Sequence, residues 1–352
     1  MIKPYNMTLF QYGYRILLLS LIFCIALWLA STHAQAALSV TCTAAMNPST
    51  INFDPLTPAN ADSASTSATL SYSCTNTGNT AGYVSICLAT DGGSTNDSDI
   101  LPRYMISLPG SGDKLAFNMR LPSGVVWGIR GKSGTEYSSG SLPIAANQGM
   151  VSGQAVINIA MTPNRNNTQS KSGSYKNNFD SSHTVMTVHT SPDNSSANCL
   201  TNGSQETNRF PFTVNATVIK GCVINNPSLS VINLESPLPG ATNFTGTGRI
   251  NLTCTDSMPY YVGLSPSNRN ADGAGVMSGT GGNPDKIPYQ LRAKSGLTGT
   301  IWGNTATATN QGNGVSDTGN GQPRVLDVYV TVPQTDVRPD TYSDVVTVTI
   351  YY

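Results

Sequence analysis

Apolar and polar positions alternate in short runs along most of this chain, and clusters of Gly, Asn, Ser and Pro break the runs. Leu70-Ser71-Tyr72-Ser73 and Ile250-Asn251-Leu252-Thr253 alternate as half-buried strands do. In the stretch from Phe210 to Ile219, residues Phe210, Phe212, Val214, Ala216 and Val218 fall on one face, the pattern of a strand with one buried side. Val345 to Tyr352 also alternates, with Val346, Val348, Ile350 and Tyr352 on its more apolar face. Such short strands between turn clusters predict an all-β, antiparallel sandwich or barrel. One run departs from the pattern: Ile16 to Ala30 is apolar but for Ser20, follows Lys3 and Arg15, and is trailed by Ala34-Gln35-Ala36. It reads as a signal peptide over residues 1–36, with the exported chain starting near Ala37.

The pattern occurs twice. Cys42 and Cys74 are separated by 32 positions, as are Cys222 and Cys254. After the first cysteine of each pair comes Ile51-Asn52-Phe53-Asp54 or Ile232-Asn233-Leu234-Glu235, each leading into a Pro-containing loop, and downstream come Val126-Trp127-Gly128 and Ile301-Trp302-Gly303. Matching features in one order predict two copies of one domain, residues 37–219 and 220–352. An even set of six cysteines in an exported chain reads as disulfides. The repeat pairs Cys42 with Cys74 and Cys222 with Cys254, and Cys87 pairs with Cys199 by elimination among 15 connectivities.

The copies differ at their ends. Val345 to Tyr352 aligns with Thr184 to Thr190, with Tyr342 and Tyr175 upstream, but nothing follows that corresponds to Phe210 through Val218. The second copy is therefore expected to lack its final strand, leaving an apolar groove beside Val346, Val348, Ile350 and Tyr352. At the other end, Ala37 to Thr41 is too short for an arm donated to a neighbour. The expected subunit accepts a strand and gives none, which places it at one end of a polymer.

Composition narrows the partners. The 352 residues carry 19 Lys and Arg against 19 Asp and Glu, so no basic excess exists to neutralise nucleic acid phosphates. Gly128-Ile129-Arg130-Gly131-Lys132-Ser133 resembles a phosphate loop but has Val126 where the pattern needs glycine. Asp91-Gly92-Gly93 and the acidic run to Asp99 lack the calcium-loop order and read as turns. His183 and His189 flank a strand with no neighbouring carboxylate or nucleophile signature, and zinc lacks a C-x-x-C pair. No catalytic residue, metal ligand or cofactor site is expected.

The paired cysteines, the two Trp-Gly pairs and the closing Asp340-Thr341-Tyr342-Ser343-Asp344-Val345-Val346-Thr347-Val348-Thr349-Ile350-Tyr351-Tyr352 together resemble the spore-coat-U-type domain of archaic, Csu-type chaperone–usher pili. The two-domain layout resembles the tip adhesin of those pili. That resemblance implies two immunoglobulin-like sandwiches, the second completed by a donated strand. It implies a periplasmic chaperone, an outer-membrane usher and an adjacent pilin as partners, and a place at the cell surface on a pilus tip, where attachment to an abiotic or host surface supports biofilm formation. It also implies apolar loop fingers on the first domain, carried here by Leu56, Val125, Val126, Leu142, Ile144, Ala145 and Ala146. Two other readings share the fold: a coat or pilus-shaft subunit, which should have one domain or a donor arm, and a carbohydrate-binding sandwich, which should cluster aromatic residues in its loops.

Overall fold

The computed structural model describes residues 38–352 except 96, 97, 99, 109, 111, 133, 193–196, 207, 226–230, 235–237 and 239. The leader expected over residues 1–36 lies outside the described residues. The chain is almost entirely strand and turn, and it builds two pairs of sheets in succession.

In the first unit the strands are β1 (Val40–Asn47), β2 (Thr50–Asn52), β3 (Ser65–Asn76), β4 (Gly82–Thr90), β5 (Arg103–Leu108), β6 (Lys114–Arg120), β7 (Tyr137–Ser138), β8 (Leu142–Ile144), β9 (Gly149–Met161), β10 (Gly173–Phe179), β11 (Thr184–Ser191), β12 (Ser204–Gln205) and β13 (Phe212–Val218). Alternation does what the sequence implies: on β3 the side chains of Ala68, Leu70, Tyr72 and Cys74 are buried between Ser and Thr that face outward. One sheet runs β1-β3-β9-β6-β5-β10-β13-β2, and the facing sheet runs β12-β11-β4-β7, with β8 also on β4. Because β1 and β2 are consecutive in the chain yet lie at opposite borders, the larger sheet curls until one stretch of chain closes both of its edges.

The second unit comprises β14 (Cys222–Ile224), β15 (Thr242–Cys254), β16 (Pro259–Ser265), β17 (Ala274–Ser278), β18 (Lys286–Arg292), β19 (Val315–Thr318), β20 (Arg324–Gln334) and β21 (Thr347–Tyr351). Its sheets run β14-β15-β20-β18-β17 and β19-β16-β21. Each unit encloses its own core. Registers match across the repeat: Cys42 lies opposite Cys74 and Cys222 opposite Cys254 in their ladders, and both pairs are disulfide-bonded. Cys87 on β4 is bonded to Cys199 in a helical turn, Cys199–Asn202. Closing a loop of 112 residues is worth roughly 4–5 kcal/mol on the chain-entropy account. Trp127 donates its indole N–H to the Leu88 carbonyl at 2.9 Å, and Trp302 does the same to Val262 at 2.7 Å. The hydroxyl of Tyr175 donates to Lys171 at 2.7 Å and that of Tyr342 to Arg338 at 2.8 Å, each reaching a carbonyl four residues back.

The units meet closely. Thr255 donates its hydroxyl to the Ile219 carbonyl, and Gly321, at φ +68°, lies so near Thr168 that an added Cβ would come within 2.2 Å of its carbonyl oxygen.

The first core also holds a buried cation. Arg103 is 1% exposed and donates to the backbone carbonyls of Asp91, Ile100, Thr90 and Trp127, tying three loops together. Burial lowers its pKa to about 9, opposed in part by the charge of Asp91. Removing the guanidinium strands several buried acceptors, so Arg103→Met should cost about 3 kcal/mol or more in urea unfolding. A loss under about 0.5 kcal/mol would show that these loops hold without it.

Candidate strand-acceptor groove and surface loops

β13 closes the first unit by pairing antiparallel with β10 and parallel with β2. Its inward side chains fill the space between the sheets: the ring of Phe212 stacks 4.5 Å from Phe179, and Phe210 stacks 6.0 Å from Trp127. In the second unit the counterpart of β10 is the segment from Tyr342 to Val346, which reaches β17 through a single bridge, Ser278 to Ser343. The counterpart of β2 is Ile232-Asn233-Leu234. Among the described residues no strand lies between these two segments.

Burial of equivalent side chains measures what is missing. Ile51 is 1% exposed, Met105 0%, Tyr175 1% and Met186 0%. The residues in their places, Ile232, Met277, Tyr342 and Ile350, are all only partly buried, although they pack against the second core. Val346 and Val348 are partly buried in the same way, and Tyr352 is 49% exposed where its counterpart Val188 is 7%. Both walls of the second sandwich thus carry apolar side chains that water still reaches. Val346, Val348 and Ile350 are among these partly buried side chains. The backbone neighbours of the vacancy are not on β21, however, because β21 pairs with β16 in the three-stranded sheet. They are 231–234 and 342–346. Sequence reasoning did not assign Ile232, Leu234, Met277 and Tyr342 to the groove, although the alignment with Ile51, Phe53 and Tyr175 was available to find two of the wall positions and the tyrosine.

Polar contacts hold the open edge in place. Asp340 accepts from the Thr280 hydroxyl, from the Asn283 amide and from the Thr280 backbone N–H, and the first two of these bonds do most to hold its carboxyl down to about 2. Tyr289 donates its hydroxyl to Asp344 at 2.6 Å. Burial first, then the bond to Asp344, pushes that hydroxyl well above the usual tyrosine range.

The surface loops need correction. Leu56 is 0% exposed and lies at the junction between the units, where its N–H donates to Thr217 and its carbonyl accepts from Ile219, so it is no finger residue. Ile144 is 2% exposed and belongs to the first core, because alternation on β8 turns it inward. Leu142, Val126 and Ala146 are half-buried, and Val126 bridges to Arg120. Val125, 42% exposed, sits in a turn closed by the Leu121 N–H on its carbonyl, and Ala145 is exposed in a loop whose carbonyl accepts from Asn76. Their backbone bonds run to different neighbours: 121–126 closes on itself and on β6, while 145–148 ties to 76–78. His183, expected without a carboxylate neighbour, has one: its Nδ1 lies 3.0 Å from Asp91.

The chain is thus a tandem β-sandwich protein with one unit closed by its own strand and one left open. Residues 208–349 match the family described as Spore Coat Protein U domain. No curated protein matches the chain. Among solved structures, it is similar to the CsuC–CsuE chaperone and tip adhesion subunit pre-assembly complex from archaic chaperone–usher Csu pili of Acinetobacter baumannii, at 14% identity and a TM-score of 0.46, covering 89% of this chain and 100% of that one. It is also similar to the CupB6 tip adhesin from Pseudomonas aeruginosa, at 10% identity and a TM-score of 0.29 over 90% of this chain and 95% of that one. A third is CfaE, the adhesive subunit of CFA/I fimbria of enterotoxigenic Escherichia coli, at 10% identity and 0.28, over 76% and 81%. At these values the likenesses transfer no residue roles.

A difference between the two units follows for stability. Truncating a fully buried side chain leaves a cavity, so Met186→Ala should cost about 2–5 kcal/mol in urea unfolding. Ile350→Ala, at the equivalent but only partly buried position, should cost less, about 1–2 kcal/mol. Equal losses would mean that the second unit is already covered.

Proposed function

We propose that this chain is the tip adhesin of an archaic chaperone–usher pilus. Residues 37–219 form the adhesin domain, and residues 220–352 form a pilin domain completed by a strand from the adjacent subunit. The observation that carries this reading is the pairing of a self-closed unit with an open one of the same fold. An open groove on a β-sandwich is repaired by an added strand, which supplies main-chain hydrogen bonds and alternating side chains together. The match of residues 208–349 to the Spore Coat Protein U domain supports the assignment of the open unit.

On this reading a periplasmic chaperone lends the strand during export, an outer-membrane usher assembles the fibre, and the neighbouring pilin supplies the final strand. The first unit is then presented to solvent at the pilus tip, outside the cell. Its exposed Val125 and Ala145, with half-buried Leu142, Val126 and Ala146 beside them, contact abiotic or host surfaces and promote biofilm formation. Catalysis has no part in it.

The assembly reading is tested by immunogold labelling of an epitope-tagged copy on fibres made with the neighbouring chaperone and usher. Labels should appear at one end of each fibre; labels along its length would make the chain a shaft subunit. Attachment is tested separately. Val125→Glu with Ala145→Glu should reduce binding of cells to plastic at least tenfold while fibre number is unchanged, since a charge resists desolvation against an apolar surface. Ile144→Glu should instead abolish the folded subunit, because its side chain lies in the first core. Unaltered attachment of the double variant would refute the loop reading.

A further inference from the structure

Asp344 is the inward-facing residue of the open edge that puts a formal charge where the first unit has a neutral amide. The registers set Tyr342, Asp344 and Val346 in the places of Tyr175, Asn177 and Phe179, which all face inward from β10. The ladders of the neighbouring hairpins likewise set Tyr289 in the place of Phe117. The two differences belong together. In the first unit Phe117 has no polar atom, and the amide of Asn177 donates to the carbonyls of Gly92 and Tyr104 and to the Thr95 hydroxyl. In the second, the Tyr289 hydroxyl donates to one oxygen of Asp344, and the Val345 N–H donates to the other at 2.8 Å. A carboxylate therefore stands on the inner face of the groove wall, between two apolar neighbours, holding two donors.

In the first unit the side chain opposite Asn177 is Val214, whose other neighbour is Ile51. A strand entering the second unit in that register would set one side chain between Asp344 and Ile232. An aliphatic side chain there would strip water from the remaining lone pairs of a carboxylate and return nothing. A hydroxyl or amide would supply a charge-assisted bond, roughly twice as strong as a neutral one.

We propose that Asp344 is a specificity-determining residue of the strand-acceptor groove, selecting an incoming strand that carries a hydrogen-bond donor side chain, such as threonine, serine or asparagine, where the closing strand of the first unit has Val214. This rests on the strand-acceptor reading of the second unit. Tyr289 is a positioning residue, which fixes the carboxylate toward the groove.

The test uses the full chain with its disulfides intact, refolded in the presence of fluorescein-labelled peptides spanning residues 209–219, either unaltered or with Val214→Thr. Anisotropy should show the threonine peptide binding about tenfold more tightly to the native chain. With the Asp344→Asn chain the preference should vanish, and with Tyr289→Phe, which keeps the carboxylate but releases it from its position, it should shrink. Equal binding of both peptides to the native chain, or an unchanged preference in either variant, would overturn the role of Asp344 while leaving the groove in place. Binding of neither peptide would refute the groove itself, and the inference with it.

Discussion

The apolar inner faces of a sandwich must be covered from water; this chain covers them with its own strand in one unit and leaves them partly exposed in the other. In the first, β13 joins β10 to β2, and a single stretch of chain supplies both border strands, β1 and β2. In the second, the same positions end in a bridge between Ser278 and Ser343 and in partly buried Ile232, Met277 and Ile350. Exposed edges of this kind are a hazard for an isolated protein. They are useful to one that is completed by another chain.

The open unit is held ready by polar bonds where packing is lacking. Asp340 and Asp344 fasten the segment before β21 to the hairpin of β17 and β18, through Thr280, Asn283 and Tyr289. Ordering that segment in advance lowers the entropy lost when a strand enters beside it. The disulfide between Cys222 and Cys254 staples the opposite border of the same sheet, as Cys42 and Cys74 do in the first unit.

Much of this was legible in the sequence, because a repeat makes two copies read each other. The equal cysteine spacing, the paired Trp-Gly steps and Tyr175 with Tyr342 relate the two copies, but the last strand is displaced from its expected alignment: with Trp127 bonded to Leu88 and Trp302 to Val262, Met186 corresponds to Ile350 and Thr184 to Val348 rather than Val345. The surface loops were less legible. Apolar residues beside Pro and Gly read as exposed, yet Leu56 and Ile144 are held by contacts distant in sequence, with Thr217 and with the first core. The pairing of His183 with Asp91 spans 92 positions and left no local pattern. The borders of the groove were misplaced for a similar reason. Alternation in β21 identifies its apolar face but not which sheet its backbone joins.

Hydrogen exchange of the unassembled chain tests the central asymmetry most directly, since protection reports how firmly each segment is held in its sheet. The account predicts that amides of residues 175–179 exchange only with unfolding of the first unit, while those of residues 342–346 exchange orders of magnitude faster. Equal, strong protection of both segments would show that the second unit is closed without a partner, and would contradict the account.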